Sequence, residues 1–213
     1  MELLPKSEKQ QQYVDLLLDD EKKIVLASGP AGTGKTMLAV LAAIKAYREQ
    51  KIDRIVITRP AVGVDDEKHG FLPGSLNEKM EPWTKPIFDV FKEHYKPKDI
   101  AQMLEEEIIE ITPLAYMRGR TFKRAFIIAD EMQNTSVNQM KMLLTRLGEG
   151  SKMVLTGDLN QIDRQFIKEN GLSDFLAILR CRYSSDISAI SFDNVDIQRH
   201  EVVKEILEFY GEI

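Results

Sequence analysis

The sequence predicts an α/β fold, a three-layer α/β/α arrangement with a mainly parallel central sheet. Short apolar runs alternate with helical stretches along the chain, which favours a parallel sheet covered by helices. A glycine-rich turn joins the first apolar run to a stretch of strong helix formers. Polar residues follow several of the apolar runs directly, as expected where strands end at a ligand site. With 213 residues, the chain predicts a single domain over 1–213.

The first half of the chain supplies three helices and two strands in this prediction. YVDLLL (13–18) predicts a short helix, and KIVLAS (23–28) predicts a buried strand ended by Gly29 and Pro30. Residues 35–50 are mostly strong helix formers, and RIVIT (54–58) predicts the second strand. The next segments predict a long loop at 61–75 and a proline-interrupted helix at 80–95. Long loops inside compact domains are often functional.

The second half alternates in the same way. The predicted strands are 107–112, 124–129, 151–156 and 187–192. The predicted helices are 136–147, 165–180 and 199–210. Parallel sheets bind ligands beyond the carboxyl ends of their strands. We therefore expect the loops that start at Gly29, Arg59, Asp130 and Gly157 to converge.

Composition excludes several classes of protein. Cys181 is the only cysteine, so an intramolecular disulfide and a cysteine-based zinc site are both excluded. The three histidines are scattered along the chain, and the longest apolar run, at 37–44, is too short to span a bilayer. The N-terminus lacks the pattern of a signal peptide. These observations predict a cytoplasmic protein with no membrane partner. The net charge of −5 means that any contact with nucleic acid needs a local basic patch.

The strongest motif is GPAGTGKT at 29–36, which fits the pattern of a phosphate-binding P-loop. Its backbone amides and the following helix N-terminus would bind the phosphates of ATP. Lys35 would bridge the β- and γ-phosphates, and the Thr36 hydroxyl would ligate Mg²⁺. An accidental glycine-rich turn is the alternative, with a chance match on the order of one in a hundred. The predicted nucleotide-binding residues are Gly29, Pro30, Ala31, Gly32, Thr33, Gly34, Lys35 and Thr36.

A second motif, IIADEMQN at 127–134, places two carboxylates at the end of a predicted buried strand. A Mg²⁺ ion bound with the nucleotide would give Asp130 a partner, and Glu131 would then orient and deprotonate a water. A solvated turn or a helix cap is the alternative for an isolated Asp-Glu pair. The adjacent Glu131 favours hydrolysis over transfer to an acceptor.

A third polar stretch, GDLNQ at 157–161, follows the next strand. Gln161, or Gln133 in the second motif, could hydrogen-bond the γ-phosphate or the water. Asp158 could support the Mg²⁺ shell. The alternative is an Asx-type turn, which for Asn160 is at least as good an explanation.

In this order, GPAGTGKT, DEMQN and TGDLNQID resemble the PhoH-like family of P-loop ATPases, which is related to the first motor domain of superfamily 1 helicases. Further stretches resemble the same family, among them VITRPAVGVDD, PLAYMRGRT and VDIQRHEVV. The resemblance implies a RecA-like core, an adenine contact from Gln10, and a role for Arg199 at the γ-phosphate of a neighbouring subunit. It also implies a link to RNA metabolism. The chain departs from the family pattern at Ala129, Met132 and Arg164.

Basic residues mark candidate contacts with RNA or single-stranded DNA. RGRTFKR (118–124) contains Arg118 and Arg120, and Arg59 follows the second predicted strand. Arginine clusters favour phosphate backbones. A solvated turn is an equally good explanation of the 118–124 cluster.

These motifs predict a Mg²⁺-dependent ATPase coupled to RNA or single-stranded DNA, with Glu131, Lys35, Gln161 and Arg199 as catalytic residues. Because an arginine in trans accelerates many NTPases, we expect a homo-oligomer, and the resemblance suggests a hexameric ring. Two alternatives stay open. One is a nucleotide-switched oligomeric module with little turnover. The other is a nucleoside kinase, although one cysteine cannot form the zinc site that such kinases usually add.

Overall fold

A computed structural model of the chain describes residues 3–60, 76–162, 170–198 and 201–210. Its described strands form one sheet, and every neighbouring pair in that sheet is parallel. The strands are β1 (Ile24–Ser28), β2 (Arg54–Thr58), β3 (Ile109–Ile111), β4 (Ala125–Ala129), β5 (Lys152–Gly157) and β6 (Ile187–Ser191). Their order across the sheet is β3-β2-β4-β5-β1-β6. The strand that precedes the P-loop, β1, therefore lies between β5 and β6.

Helices cover both faces of the sheet. The described helices are α1 (Glu8–Leu18), α2 (Lys35–Arg48), α3 (Leu76–Lys92), α4 (Pro97–Glu105), α5 (Val137–Leu144), α6 (Gly171–Cys181) and α7 (Glu201–Phe209), and the first six cover the sheet. Buried side chains of α1 to α4 share one apolar core with alternate strand residues such as Val25 and Ile57. Those of α5 and α6 share a second core with residues such as Leu26 and Val56. Successive residues of a strand point to opposite faces of the sheet, so alternate residues enter different cores. The sheet and the helices on its two faces form the predicted three layers.

The strand predictions are confirmed, and two helices differ from the prediction. Helix α1 begins at Glu8 instead of residue 13, because Ser7 caps it by accepting a hydrogen bond from the Gln10 amide at 3.2 Å. Helix α4 was not predicted. It begins at Pro97, whose fixed φ suits the first turn, and it buries Ile100 and Met103.

Other element boundaries also differ from the prediction. Strand β3 begins at Ile109 instead of residue 107, where Glu107 adopts a positive φ of 56°. Helix α3 ends at Lys92, α5 at Leu144 and α6 begins at Gly171. The predicted loop at 61–75 and residues 163–169, Arg164 among them, lie outside the described residues. None of the described helices is long and apolar enough to cross a membrane.

Candidate functional site

The P-loop leaves β1 and enters α2 with its backbone in conformations that favour glycine. Gly29, Gly32 and Gly34 all have φ between 82° and 134°. At Gly29 a side chain is also excluded by space, because a Cβ there would lie 2.4 Å from the Phe192 carbonyl oxygen. Gly29 donates to the carbonyl oxygen of Gly157 at 3.1 Å, which ties the P-loop to the end of β5. The loop is thereby held between β5 and the segment after β6.

The N-terminus of α2 faces this loop without a side-chain cap, because its N-cap residue is Gly34. A 14-residue helix with uncapped first-turn amides offers a positive end to an anion. Lys35 lies beside it, only 8% exposed. Its Nζ donates to the carbonyl oxygens of Gly29 at 2.7 Å and Pro30 at 2.6 Å. This places a cation inside the loop that carries the helix N-terminus.

The charge of Lys35 is under opposing influences. Burial lowers the pKa of its ammonium, because a charged group loses hydration there. Asp158, Asp130 and Glu131 oppose that shift by attracting the charge. Three carboxylates therefore act on one buried cation, as expected of a site built for an anion and its counterions.

Asp130 follows β4 and connects the P-loop helix to the neighbouring strand. Its amide donates to the Thr58 carbonyl oxygen at 2.9 Å, which continues the pairing of β4 with β2. Its Oδ1 accepts a hydrogen bond from the Thr36 hydroxyl at 2.8 Å and another from the Thr156 hydroxyl. Thr156, near the end of β5, was missed in the sequence analysis. A hydroxyl at the end of an apolar strand next to GDLNQ was the available signal.

The pairing of Thr36 with Asp130 fits a Mg²⁺ ion. A hydroxyl and a carboxylate oxygen meet at 2.8 Å beside the P-loop, and Mg²⁺ prefers oxygen ligands of this kind. Within the described ranges, the structure holds no group of three or more His, Cys, Asp or Glu side chains suited to a metal. Mg²⁺ is usually held by one or two carboxylates together with substrate phosphates and waters, and Asp130 would supply one carboxylate.

Glu131 has an unusual backbone and a fixed side chain. Its φ and ψ are 57° and 39°, the left-handed region that non-glycine residues rarely adopt. Its Oε2 accepts a hydrogen bond from the side-chain Nε2 of Gln133 at 2.5 Å. Such strain persists only where the surroundings enforce it, and it is concentrated at functional sites.

Gln133 is the residue that joins the second and third motifs. Its side chain is fully buried. Besides Glu131, its Nε2 donates to the Gln161 carbonyl oxygen at 3.0 Å, and its Oε1 accepts from the Asp158 amide at 3.1 Å. A Cβ at position 157 would lie 2.8 Å from that Oε1, so glycine at this position permits the contact. Because its Nε2 and its Oε1 are both hydrogen-bonded within the protein, Gln133 acts on the site by fixing the position of the Glu131 side chain.

Gln161 differs from Gln133 because its side chain is exposed at the cleft. Its own amide donates to the Asp158 carbonyl oxygen at 3.1 Å, and Asp158 Oδ1 accepts from the Asn160 amide at 2.9 Å. The Asx-type turn considered for Asn160 is therefore present, formed by the Asp158 side chain. This turn presents Gln161 to the P-loop.

These groups line one cleft of about 270 Å³. Three of the four loops expected to converge contribute to it, from β1, β4 and β5. The lining residues are Ala31, Gly32, Gly34, Lys35, Thr36, Met37, Asp130, Glu131, Gly157, Asp158 and Gln161. Of the fourth loop, the structure describes Arg59 and Pro60, which follow β2. The Arg59 carbonyl accepts from the Leu114 amide at 3.2 Å, and the Arg59 side chain is half-buried. Ala129 and Met132, which depart from the family pattern, are both fully buried.

Other predicted residues that the structure describes are not part of this cleft lining. Gln10, on α1, is buried against the outer side of the P-loop, and Arg199 lies outside the described residues. Arg118 is exposed. Arg120 forms an ion pair with Glu110, with an Nη2–Oε2 distance of 2.9 Å, and its guanidinium lies 4.5 Å from the centre of the Phe122 ring. The contacts of Arg59, Arg118 and Arg120 with nucleic acid stay predictions.

A family model described as PhoH-like protein matches residues 2–211 of the chain. A PhoH-like protein of Mycobacterium leprae (strain TN) is 45% identical over 208 residues, which cover 98% of this chain and 58% of the relative. A PhoH-like protein of Bacillus subtilis (strain 168) is 45% identical over 201 residues, covering 94% of this chain and 61% of the relative. Protein PhoH of Escherichia coli (strain K12) is 37% identical over 211 residues, covering 98% and 58%.

The chain thus spans about three fifths of the length of these relatives. Among solved structures, the Pif1 helicase from Candida albicans aligns with 99% of this chain and 44% of its own, at 15% identity and a TM-score of 0.48. A SWI2/SNF2 ATPase core from Sulfolobus solfataricus aligns with 92% and 47%, at 16% identity and a TM-score of 0.48.

Proposed function

Because this chain belongs to the PhoH-like protein family, we propose that it binds ATP together with Mg²⁺ at the P-loop and hydrolyses the terminal phosphate. The observation that carries the proposal is the meeting of Thr36, Asp130 and Thr156 beside the P-loop lysine. A buried strand that delivers a carboxylate onto the P-loop hydroxyl is the arrangement that nucleotide hydrolysis needs. The structure has the fold of a P-loop NTPase, and that fold supports nucleotide binding in general.

The P-loop and α2 would hold the phosphates. The amides of the loop and of the first helical turn would donate to the phosphate oxygens, and the helix dipole favours their negative charge. Lys35 would exchange its bonds to the carbonyls of Gly29 and Pro30 for bonds to the β- and γ-phosphates. Thr36 and Asp130 would hold Mg²⁺, which when bound neutralises charge on those phosphates.

Glu131 would act as the general base. Its Oε2 is occupied by Gln133, so Oε1 is the oxygen that would take a proton from the attacking water. The water oxygen forms a bond to the γ-phosphorus, the bond from that phosphorus to the β–γ bridging oxygen breaks, and the proton goes to Glu131. The products are ADP and inorganic phosphate. Gln161, which is exposed at the cleft, would orient the water or the γ-phosphate.

We further propose that turnover depends on RNA or single-stranded DNA and on a homo-oligomer in the cytoplasm. The support is the family relationship and the basic residues Arg59 and Arg118. In this proposal Gln10 and Arg199 keep the roles that the sequence resemblance implies, and hexamers are the expected assembly.

The first test is phosphate release from ATP and Mg²⁺, with and without single-stranded RNA or DNA. We expect Glu131→Gln to lower kcat about 10²- to 10⁴-fold, because it removes the proton acceptor, while ATP binding is retained. Glu93→Gln, on an exposed residue after α3, is the matched control and should leave kcat unchanged. Equal kcat in Glu131→Gln and in the unaltered chain would contradict the proposal.

Two results would favour the other functions. Tight ATP binding without phosphate release under any condition would favour a nucleotide-switched module. Appearance of a phosphorylated nucleoside in an acceptor screen with labelled ATP would favour a kinase.

The oligomer is tested separately with Arg199→Ala. If Arg199 stabilises the transition state in a neighbouring subunit, its loss should lower kcat about 10³-fold or more without weakening ATP binding. Mixing Arg199→Ala with Glu131→Gln subunits should then restore part of the activity, because one subunit type supplies the arginine and the other the base. Normal hydrolysis by Arg199→Ala would contradict the trans arrangement.

A further inference from the structure

The two edge strands of the described sheet differ in length and charge. β3 has three residues, and its central residue, Glu110, forms an ion pair with Arg120. β6 has five residues, Ile-Ser-Ala-Ile-Ser, with no charge and no proline. Short strands, charged side chains and prolines are common means by which an edge strand avoids pairing with another chain. β3 uses the first two of these means, whereas β6 has an ordinary length and neither charge nor proline.

The hydrogen bonds between β6 and β1 use alternate residues of β6. The Ile24 amide donates to the Asp186 carbonyl oxygen at 3.1 Å, and the Phe192 amide donates to the Ser28 carbonyl oxygen at 2.8 Å. In a parallel ladder, the residues bonded to one neighbour alternate with residues that face the other side. The residues of β6 that direct N–H and C=O groups away from β1 are therefore Ile187, Ala189 and Ser191. No described residue bonds these outward groups, so they form an open row of alternating donors and acceptors.

A positively charged groove of about 440 Å³ lies beside this open edge, between β6 and the end of α6. Its lining includes three basic residues, Lys22, Arg180 and Arg182, and no acidic residue. Both arginines are exposed, and neither guanidinium has a partner among the described residues. Asp186, the next acidic residue in the chain, accepts from the Ser185 hydroxyl at 3.0 Å and does not line the groove. The groove is thus a local basic patch on a chain whose net charge is −5.

The rest of the groove resembles a protein interface. Leu176, Leu179 and Ile187 supply an apolar floor, and Tyr183 at one end is 94% exposed. Ile187 packs against the same core as α6, so the groove lies on the α6 face of the sheet. Tyrosine and arginine are enriched where proteins bind one another. A strand added beside β6 would present alternate side chains to this groove.

We propose that the open edge of β6 accepts an extended acidic segment of a partner protein as an added strand. The backbone of that segment would bond the outward N–H and C=O groups of β6, and its acidic side chains would pair with the cations of the groove. Single-stranded nucleic acid fits less well, because its phosphate groups accept hydrogen bonds but donate none. The β6 strand of a second copy also fits less well, because it has no acidic residue to pair with these cations.

The binding test uses a fluorescein-labelled peptide of about eight residues in which glutamate and valine alternate. Its affinity is measured by fluorescence anisotropy without nucleotide, so the result does not depend on the proposed ATPase activity. We expect this peptide to bind, and a peptide with lysine in place of glutamate not to bind. Hydrogen exchange followed by NMR should slow at the amides of Ile187, Ala189 and Ser191 when the peptide is bound.

The contribution of charge is tested with the double change Arg180→Gln and Arg182→Gln. We expect the affinity for the glutamate–valine peptide to fall about tenfold, because two exposed ion pairs are lost. The difference should shrink at about 1 M salt. The matched control is Lys96→Gln with Lys98→Gln, which removes two exposed cations with the same spacing at the start of α4 and should leave the affinity unchanged.

The contribution of the backbone is tested with Ala189→Pro. This change removes an outward N–H without removing a hydrogen bond to β1, a position where an edge strand tolerates proline. We expect the affinity to fall about tenfold or more, at high salt as well.

Two methylated peptides test the same hydrogen bonds without changing the protein. One is methylated at the backbone nitrogens of its glutamates and the other at those of its valines. Because only alternate residues of an added strand bond β6, one of the two should bind like the unmethylated peptide and the other should not bind.

Several results would overturn the proposal. Failure of the glutamate–valine peptide to bind, or equal binding of the lysine version, would exclude an acidic segment. Loss of binding in both methylated peptides, or in neither, would exclude an added strand. An oligouridine that displaces the peptide and binds more tightly would make the groove a nucleic-acid site. A dimer of the unaltered chain that Ala189→Pro dissociates would make a second copy the occupant.

The two proposals for this chain fail independently. Absence of phosphate release together with normal peptide binding would contradict the ATPase proposal alone, and the reverse pattern would contradict the added strand alone. Far-UV circular dichroism checks that each variant folds. If Ala189→Pro does not fold, the methylated peptides decide whether backbone hydrogen bonds hold the segment.

Discussion

At the carboxyl end of the sheet, polar and charged groups are buried and bonded to one another, whereas at the amino end they lie at the surface in solvent-exposed ion pairs. Lys35, Gln133 and Thr156 are 8% exposed or less, and Gln133 and Thr156 bond to residues from distant parts of the chain. At the amino end, Lys51 and Asp20 pair at 2.8 Å, with side chains 44% and 71% exposed. The same residue types are thus buried at one end of the sheet and exposed to solvent at the other.

The difference predicts that the burial of a polar group matters more for stability than the number of charges. A buried polar group that loses its partner leaves another buried group unsatisfied, while an exposed ion is solvated by water when its partner is removed. Lys152 is the exception at the amino end. It is largely buried, and its Nζ donates to the carbonyl oxygens of Leu16, Leu17 and Asp19 at 2.6–3.0 Å.

The largest effect is expected from breaking the network at Gln133. Gln133→Ala leaves the Asp158 amide and one Glu131 oxygen without their partner, and it opens a cavity. We expect the free energy of unfolding to fall by about 2–4 kcal/mol and kcat to fall as well, since Glu131 is no longer held. Urea denaturation and phosphate release measure the two effects.

Gln102→Ala is the matched control. Gln102 is exposed on α4 and bonds Glu106 at 2.8 Å, so its loss should change stability by no more than about 0.5 kcal/mol. Equal losses of stability in Gln133→Ala and Gln102→Ala would remove the contrast between buried and exposed polar groups.

An intermediate effect, dependent on pH, is expected at Lys152. Burial lowers the pKa of Lys152 to about 8 from an ordinary value of 10.5, against the attraction of Asp19 and Asp20. Between these two values the folded chain holds a neutral lysine and the unfolded chain a charged one, so stability rises with pH in that window. Relative to Lys152→Met, the unaltered chain should gain about 1–3 kcal/mol from about pH 8 to about pH 10.5.

Urea denaturation of both chains across that pH range measures the difference. The contributions of titratable groups that are present in both chains cancel in this difference of unfolding free energies. A constant difference in unfolding free energy over the whole range would show that the lysine keeps its charge in the folded chain.

The smallest effect is expected from the exposed pair of Lys51 and Asp20. The side-chain hydrogen bond to Lys51 lowers the pKa of Asp20, yet solvent screens both groups. We expect Lys51→Met to change the free energy of unfolding by less than about 0.5 kcal/mol, and the change to disappear at about 1 M salt. A salt-independent loss of 2 kcal/mol or more, on the order seen for buried pairs, would contradict it.

The sequence analysis predicted the strands and the motifs because both depend on local signals. Continuous apolar runs marked the strands, and GPAGTGKT and IIADEMQN placed Lys35, Thr36, Asp130 and Glu131 at strand ends. Helix α4 was missed because its apolar positions are few, although Pro97 at its first turn was a usable start signal. The start of α1 was missed because the first turn of this helix is polar.

Other features could not be predicted because they depend on contacts between distant residues. The buried amide of Gln133 bonds a residue 28 positions later, and its neighbour Glu131 takes a left-handed backbone that nothing in the local sequence requires. From the sequence, Arg120 was a candidate phosphate contact. In the structure its guanidinium forms an ion pair with Glu110 on β3, an edge strand of the described sheet. The burial of Gln10 against Thr33 likewise depends on how α1 packs.

The position of β1 in the sheet has a consequence for biosynthesis. Ile24 pairs with Met153 on one side and with Ile187 on the other, so the strand that precedes the P-loop has no neighbour until residues far later have been translated. Loop closure over such separations is slow, and all-parallel sheets depend on it. During translation the P-loop emerges well before β5 and β6, which flank β1 in the sheet. Nucleotide capture should therefore begin only after β6 has left the ribosome, which would make bound nucleotide a reporter that translation has passed β6.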